Sequence, residues 1–270
     1  MEVAPLRWRL LALDLDGTIV GPGLELDPQD EAALRRAEAA GMAVVVCTGR
    51  PFPGALIWIR RLALTGPFVC YQGAQVRLPD GATLLDHGVA RPLAAEVIEY
   101  CREQDLHVQA YRDDRLLVER DRPEAHEYAQ HAQMEINLVP DLVEAMGPTT
   151  PKLVVVANKD RVEQLLPEIR SRWAGRLNAA TSMPTYLEMT STRSDKRLAL
   201  RFLARRLSVA QEHIAAAGDG RNDESMIAWA GIGFAVEGAA EEVLRAAAGR
   251  TIPPPGQGGI ALLVDRLLEG

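Results

Sequence analysis

Hydrophobic and polar positions change rhythm several times along the chain, and each change marks an element. LLALDLD, residues 10–16, is apolar at nearly every position before its acids and predicts a strand. Alternation along such a strand would put Asp14 and Asp16 on one face. Asp27-Pro28 open a helix to about Ala40, because proline is tolerated in a first turn and Gly41 supplies the stop. The continuous β-branched run Val44–Val46 predicts a strand covered on both faces. A helix over 53–64 and a short apolar strand within PFVCYQG (67–73) follow. This alternation of strand and helix predicts a parallel sheet with crossover helices.

Between Gly81 and Leu187 the texture changes. LHVQAYRDDRLLVE (106–119) reads as a hairpin turning at Asp113-Asp114. Helical patterns at 92–104, 122–133 and 159–172 alternate with strand-like INLV (136–139), PKLVVVAN (151–158) and YLEMT (186–190). The first pattern then resumes, with helices near 195–207, 239–248 and 257–269 and the apolar runs IAAAG and GIGFAV. The fold class is therefore α/β: a Rossmann-like parallel sheet core with helices on both faces, plus an inserted α+β domain. The core is expected over 1–80 and 188–270, and the insert over 81–187.

Composition narrows the partners. With 270 residues, 47% of them hydrophobic, the chain is long enough for two modest cores. A net charge of −7 argues against nucleic acid or an anionic membrane as the main partner. No run approaches the roughly 18 apolar residues of a membrane helix. The N-terminal apolar run is broken by acids and does not read as a signal peptide. Cys47, Cys70 and Cys101 are widely spaced, without CxxC, and fit buried apolar positions in a reducing cytoplasm. Arginine outnumbers lysine 27 to 3; drift in composition explains most of this bias, with Lys152, Lys159 and Lys196 left as candidates for places where a compact ammonium is wanted.

The chemistry follows from where the polar residues fall. Asp14 and Asp16 end the first strand, Thr48, Gly49 and Arg50 follow the second, and Asp219, Gly220, Asn222 and Asp223 follow IAAAG. In an open parallel sheet these carboxyl ends line the crevice where ligands bind. Singly, a turn aspartate or a capping threonine would be unremarkable structure. Jointly, they bring up to four carboxylates to one cleft. Two carboxylates about 4 Å apart repel by roughly 4 kcal/mol at an effective dielectric near 20. A hard divalent cation relieves that repulsion, and an all-oxygen set suits Mg²⁺ better than zinc.

DLDGT (14–18), the TGR ending at Arg50, SDKRLAL (194–200) and GDGRND (218–223), in this order, resemble the four motifs of the haloacid dehalogenase-like phosphohydrolases. The insert looks like the α/β cap of their Cof-type sugar-phosphatase branch. The resemblance covers nearly the whole chain and implies a Mg²⁺-dependent phosphatase of small phosphorylated metabolites. It implies that Asp14 is the nucleophile, forming an aspartyl-phosphate, and that Asp16 moves the proton. Dehalogenating members need no acid at the second position, so Asp16 favours phosphoryl transfer. It also implies that Leu15, Thr48, Gly49, Lys196 and Asn222 hold phosphoryl oxygens. Asp14, the Asp16 carbonyl, Asp219 and Asp223 would serve the metal.

Three departures, Arg197 after the motif lysine, Gln72-Gly73-Ala74, and Val236-Glu237-Gly238-Ala239, remove no catalytic group but bear on the substrate. Gln72, Arg50, and Arg112 and Arg115 at the hairpin tip are the residues expected to meet it. His126 and His131 are five apart and miss the spacing of a zinc helix. Two rival readings are a phosphomutase of the phosphomannomutase type and a non-catalytic binder of phosphorylated ligand. Oligomeric state is not legible in the sequence.

Overall fold

The structure is a computed structural model and describes residues 6–269. The first segment contains β1 (Leu10–Leu13), α1 (Pro28–Ala39), β2 (Ala43–Val46), α2 (Phe52–Arg61), β3 (Phe68–Cys70), β4 (Gln75–Arg77) and β5 (Thr83–Asp86). The middle segment opens with β6 (Val89–Ala90), α3 (Arg91–Glu103), β7 (His107–Arg112), β8 (Arg115–Val118), α4 (Pro123–Ala132) and β9 (Ile136–Leu138). It continues with α5 (Leu142–Ala145), β10 (Thr149–Thr150), β11 (Leu153–Val156), α6 (Lys159–Arg172), β12 (Leu177–Met183) and β13 (Tyr186–Ser191). The last segment holds α7 (Lys196–Arg206), β14 (Ile214–Gly218), α8 (Glu224–Trp229), β15 (Ile232–Val236), α9 (Glu241–Ala246), β16 (Thr251–Ile252) and α10 (Gly259–Glu269).

The core sheet runs in the order β16-β15-β14-β1-β2, all parallel. Its centre, β1, shows why these strands are apolar throughout. Leu11 and Leu13 pack in the cluster that holds Leu34 of α1 and Leu263 of α10. Leu10 and Ala12 pack on the opposite side with Leu200 and Leu203 of α7. Two-residue alternation thus feeds two helical layers, the α/β arrangement read from the sequence. Beyond β2, a parallel bridge between Cys47 and Val69 brings in β3, which turns back into the antiparallel β3-β4-β5 sheet. The Pro79-Asp80-Gly81 turn, with Gly81 at φ +95°, makes that hairpin, which the coarse sequence reading left out.

The middle segment forms a second sheet in the order β12-β13-β11-β7-β8-β9. The β7–β8 hairpin turns at Asp113-Asp114 as expected, both residues adopting positive φ. Its other edge, β12, was missed because LNAATSM is small and polar rather than apolar. Strand pairing also bears on the expected insert of 81–187. β5 pairs with β4, and β13 spans Tyr186–Ser191 across the expected limit at 187.

The two units share an apolar cluster in which Phe68 and Tyr71 meet Tyr111, Tyr128 and Val154. Tyr71 and Tyr111 stack edge to face with centroids 5.4 Å apart. No helix of the described residues is long and apolar enough to cross a membrane.

Candidate active site

Because β1, β2 and β14 are parallel neighbours, the residues after each strand converge on one edge. Ladder pairing of β1 stops at Leu13, earlier than the expected end at 16. The Asp14 amide donates one more bond to Ala217, and then the Leu15 carbonyl accepts from both Ile19 and Val20. Gly17 at φ +84° completes this tight turn. A side chain on Gly17 would lie 2.3 Å from Asp219 Oδ2, so glycine makes room for that acid as well as for the turn.

The early end of the strand corrects one expectation. Asp14 and Asp16 do not sit on one strand face, because the chain leaves the sheet between them. Asp14 is buried, whereas the Asp16 carboxylate is 47% exposed. Arg50 meets that carboxylate with two donors, Nε at 2.8 Å from Oδ2 and Nη2 at 2.6 Å from Oδ1. Its Nη1 reaches the Gln133 side chain of the second unit at 3.3 Å.

Lys196 enters from α7. Asp195 caps this helix by accepting from the Leu198 amide at 2.9 Å, and Ser225 holds its other oxygen at 2.8 Å. The cap fixes the first turn, and from it the Lys196 ammonium donates to Asp14 at 2.5 Å and Asp223 at 2.6 Å. Asp223 in turn accepts from the Gly220 amide at 3.0 Å, closing the GDGRND loop on itself. Thr18 Oγ1, which the sequence reading did not single out, donates to Asp219 at 3.1 Å.

One buried ammonium faces three acids, and the titration of the group reflects that imbalance. Burial pushes the Asp14 carboxyl well above the usual carboxylate range, and neighbouring Asp223 adds to it against the pull of Lys196. Asp219 is raised by burial and by Asp223. Burial alone would lower the Lys196 ammonium, but Asp14 and Asp223 more than offset it and hold it charged. Carboxylate oxygens of Asp14, Asp219 and Asp223 lie within 4.8 Å of one another. A compact, all-oxygen, electron-rich group of this kind fits a hard divalent cation such as Mg²⁺.

The remaining residues divide in two. Thr48 is fully buried, and its hydroxyl accepts from the Arg50 amide at 3.1 Å. Gly49 has no Cβ where the Gln72 amide would meet it at 2.4 Å, and the Asn222 side chain donates to Gln72 at 2.8 Å. Leu15, Thr48, Gly49, Gln72 and Asn222 thus gather at the edge that carries the acids. Arg112 and Arg115 do not join them. Arg112 donates to the Ala145 carbonyl and pairs with Asp113, and Arg115 is exposed on the second unit. Positive φ at Asp114 turns its carboxylate onto Arg77 instead, at 2.9 Å through two nitrogens, so the hairpin tip is a docking point.

Comparison with known proteins agrees with this geometry. The family described as haloacid dehalogenase-like hydrolase matches residues 11–263. Phosphatase YwpJ of Bacillus subtilis (strain 168) is 26% identical over 287 aligned residues, which cover 96% of this chain and all of that protein. HMP-PP phosphatase of Serratia proteamaculans (strain 568) is 26% identical over 226 residues, covering 84% of this chain and 82% of that one. Among solved structures, the crystal structure of TM0651 from Thermotoga maritima superposes with a TM-score of 0.86 at 31% identity, covering 96% of this chain and 97% of that one. With the motif acids, the motif lysine and the GDGRND loop on one sheet edge, the chain belongs to the haloacid dehalogenase-like hydrolases of Cof type and is a phosphatase.

Proposed function

We propose that the protein hydrolyses small phosphomonoesters, sugar phosphates or similar metabolites, through an aspartyl-phosphate on Asp14, with Mg²⁺ as cofactor. The observation that carries the reading is the Asp14 carboxylate held 2.5 Å from a buried lysine and beside Asp219 and Asp223. Asp14 attacks phosphorus, its Oδ–P bond forms, and the bond from phosphorus to the leaving oxygen breaks. Lys196, the Thr48 hydroxyl, the Leu15 and Gly49 amides and Asn222 hold the phosphoryl oxygens, where fixed donors act on charge that develops in the transition state. Asp16 gives its proton to the leaving oxygen and then takes one from the water that hydrolyses the aspartyl-phosphate. Asp14, the Asp16 carbonyl, Asp219 and Asp223 would hold Mg²⁺, which supplies positive charge against the phosphate and the acids.

The second unit acts as a cap that meets the leaving group, with Gln72 and Arg50 at the border. Phosphate release should be measured with and without Mg²⁺ on a panel that includes hexose phosphates, nucleotides, pyridoxal phosphate and a pyrimidine diphosphate ester. Metal-dependent release from a monoester, lost in Asp14→Asn checked for deamidation, is the expected result. Turnover of Asp14→Asn near the wild-type rate would overturn the mechanism.

A further inference from the structure

Of the three lysines, two are 1% exposed: Lys196 in the site and Lys152 in the other unit. Lys152 immediately precedes β11, and its ammonium donates to Glu188 of β13 at 2.7 Å. A buried pair of this kind contributes little net stability, because desolvation offsets the attraction. Its remaining contacts lead out of the cap. The same ammonium donates to the Gly49 carbonyl of the core at 3.3 Å. Glu188 accepts from Ser182 at 2.9 Å and from Gln72 Nε2 at 3.4 Å, and the Gln72 oxygen accepts from Asn222. Gln72 is held where it can bridge: Tyr71 and Gln72 both take left-handed φ, 52° and 59°. Their amides donate to the Arg50 and Thr48 carbonyls. One ion pair in the cap is thereby tied directly to two of the core loops that border the phosphate edge, those of Gly49 and Gln72.

We propose that Lys152 and Glu188 are positioning residues for phosphate binding: seated on the core, they fix the Gly49 peptide and the Gln72–Asn222 pair in the arrangement that receives the phosphoryl group. This rests on the reading of Gly49 and Asn222 given above, and it assigns the cap a task shared by every substrate. An ammonium suits it because its donors leave one small nitrogen in different directions, toward a carbonyl and a carboxylate.

The test compares wild type with Lys152→Met and with Lys152→Met/Glu188→Met, the second leaving no unpaired buried charge should the first fail to fold. Each is assayed with p-nitrophenyl phosphate and with a hexose phosphate from the panel above, and with orthophosphate as inhibitor. Fractions folded are set by thermal melts. The expected result is a loss in kcat/KM of about tenfold to a hundredfold, the range of ångström-scale misplacement. It should be similar for both substrates, with a parallel rise in the inhibition constant of orthophosphate. A pair that only stabilises the cap would lower Tm and leave that constant unchanged, which overturns the proposal. Loss confined to the hexose phosphate overturns it too, making the pair a leaving-group contact. A wild type that releases no phosphate from either substrate overturns the phosphatase reading as well; a defect-free variant beside an active wild type overturns this inference alone.

Discussion

Arg50 grips both carboxylate oxygens of Asp16, a residue 34 positions earlier in the chain, while its third nitrogen touches Gln133 of the cap. In the proposed mechanism Asp16 must present one oxygen to the leaving group, so Arg50 has to orient it and then share it. Arg50→Ala is expected to lower kcat by about tenfold or more, within the range for a misplaced acid–base group. Arg50→Lys should not restore it, since a single ammonium cannot reproduce a two-nitrogen grip. The loss should be smaller with p-nitrophenyl phosphate, whose leaving oxygen needs little protonation, than with an alkyl phosphate. Steady-state kinetics on the two esters check this, and the reverse order would contradict it.

In the proposed metal site the folded protein gathers Asp14, Asp219 and Asp223, with Lys196 bonded to the first and last, whereas the unfolded chain scatters them. At about 100 times its dissociation constant, Mg²⁺ should stabilise folding by roughly 2.7 kcal/mol. For a chain of this size that is on the order of a few degrees in Tm. Orthovanadate or another phosphate mimic should add a further rise only with Mg²⁺ present. Asp219→Ala should lose most of both responses. Melts in EDTA, in Mg²⁺ and in Mg²⁺ plus mimic decide it, and equal Tm in all three would refute a metal-phosphate site.

Asp30 of α1 takes no part in the proposed chemistry and is fully buried, accepting from the Ala261 amide of α10 at 2.8 Å. Its second oxygen has no hydrogen-bond partner among the described residues. Burial raises its pKa, with the Ala261 amide opposing, so the folded state prefers the protonated acid. The stabilisation from that preference is complete below the unfolded value, near pH 4, and is lost as pH rises through the higher folded value. Asp30→Asn should therefore gain Tm on the wild type as pH climbs from about 4 to 7. A Tm difference that stays flat over this range would show that Asp30 titrates as it does in the unfolded chain.

Cys47, Cys70 and Cys101 are fully buried, and burial pushes their thiols up, Cys101 to about 12 and the other two higher. Since the thiolate is the reacting species, native protein should give almost no colour with a disulfide reagent at pH 8. Guanidinium should release all three thiols. Fast labelling of even one thiol in the native state would contradict the packing around β2, β3 and α3.

Much of this arrangement was legible in the sequence for a local reason. A strand buried on both faces is apolar without a break, so DLDGT, TGR and GDGRND stand out as the polar residues that end such runs. Parallel pairing then carries all three to one edge, with no knowledge of side-chain contacts needed. Lys196 was legible through its motif, and Lys152 only as a rarity of composition. The structure alone decided the partners. The turn at Leu15 and Gly17 ended the strand before Asp14 and Asp16, leaving one buried on Lys196 and the other exposed on Arg50. Lys152 meets Glu188 because β11 and β13 pair in one register, Val154 opposite Glu188, and because the cap sits on Gly49. At the hairpin tip it is Asp114 that meets the core, through Arg77, while Arg112 bonds within its own unit to Ala145 and Asp113. Local pattern specifies which residues leave a strand and where; register and docking, which sum many weak contacts across the chain, decide whom their side chains meet.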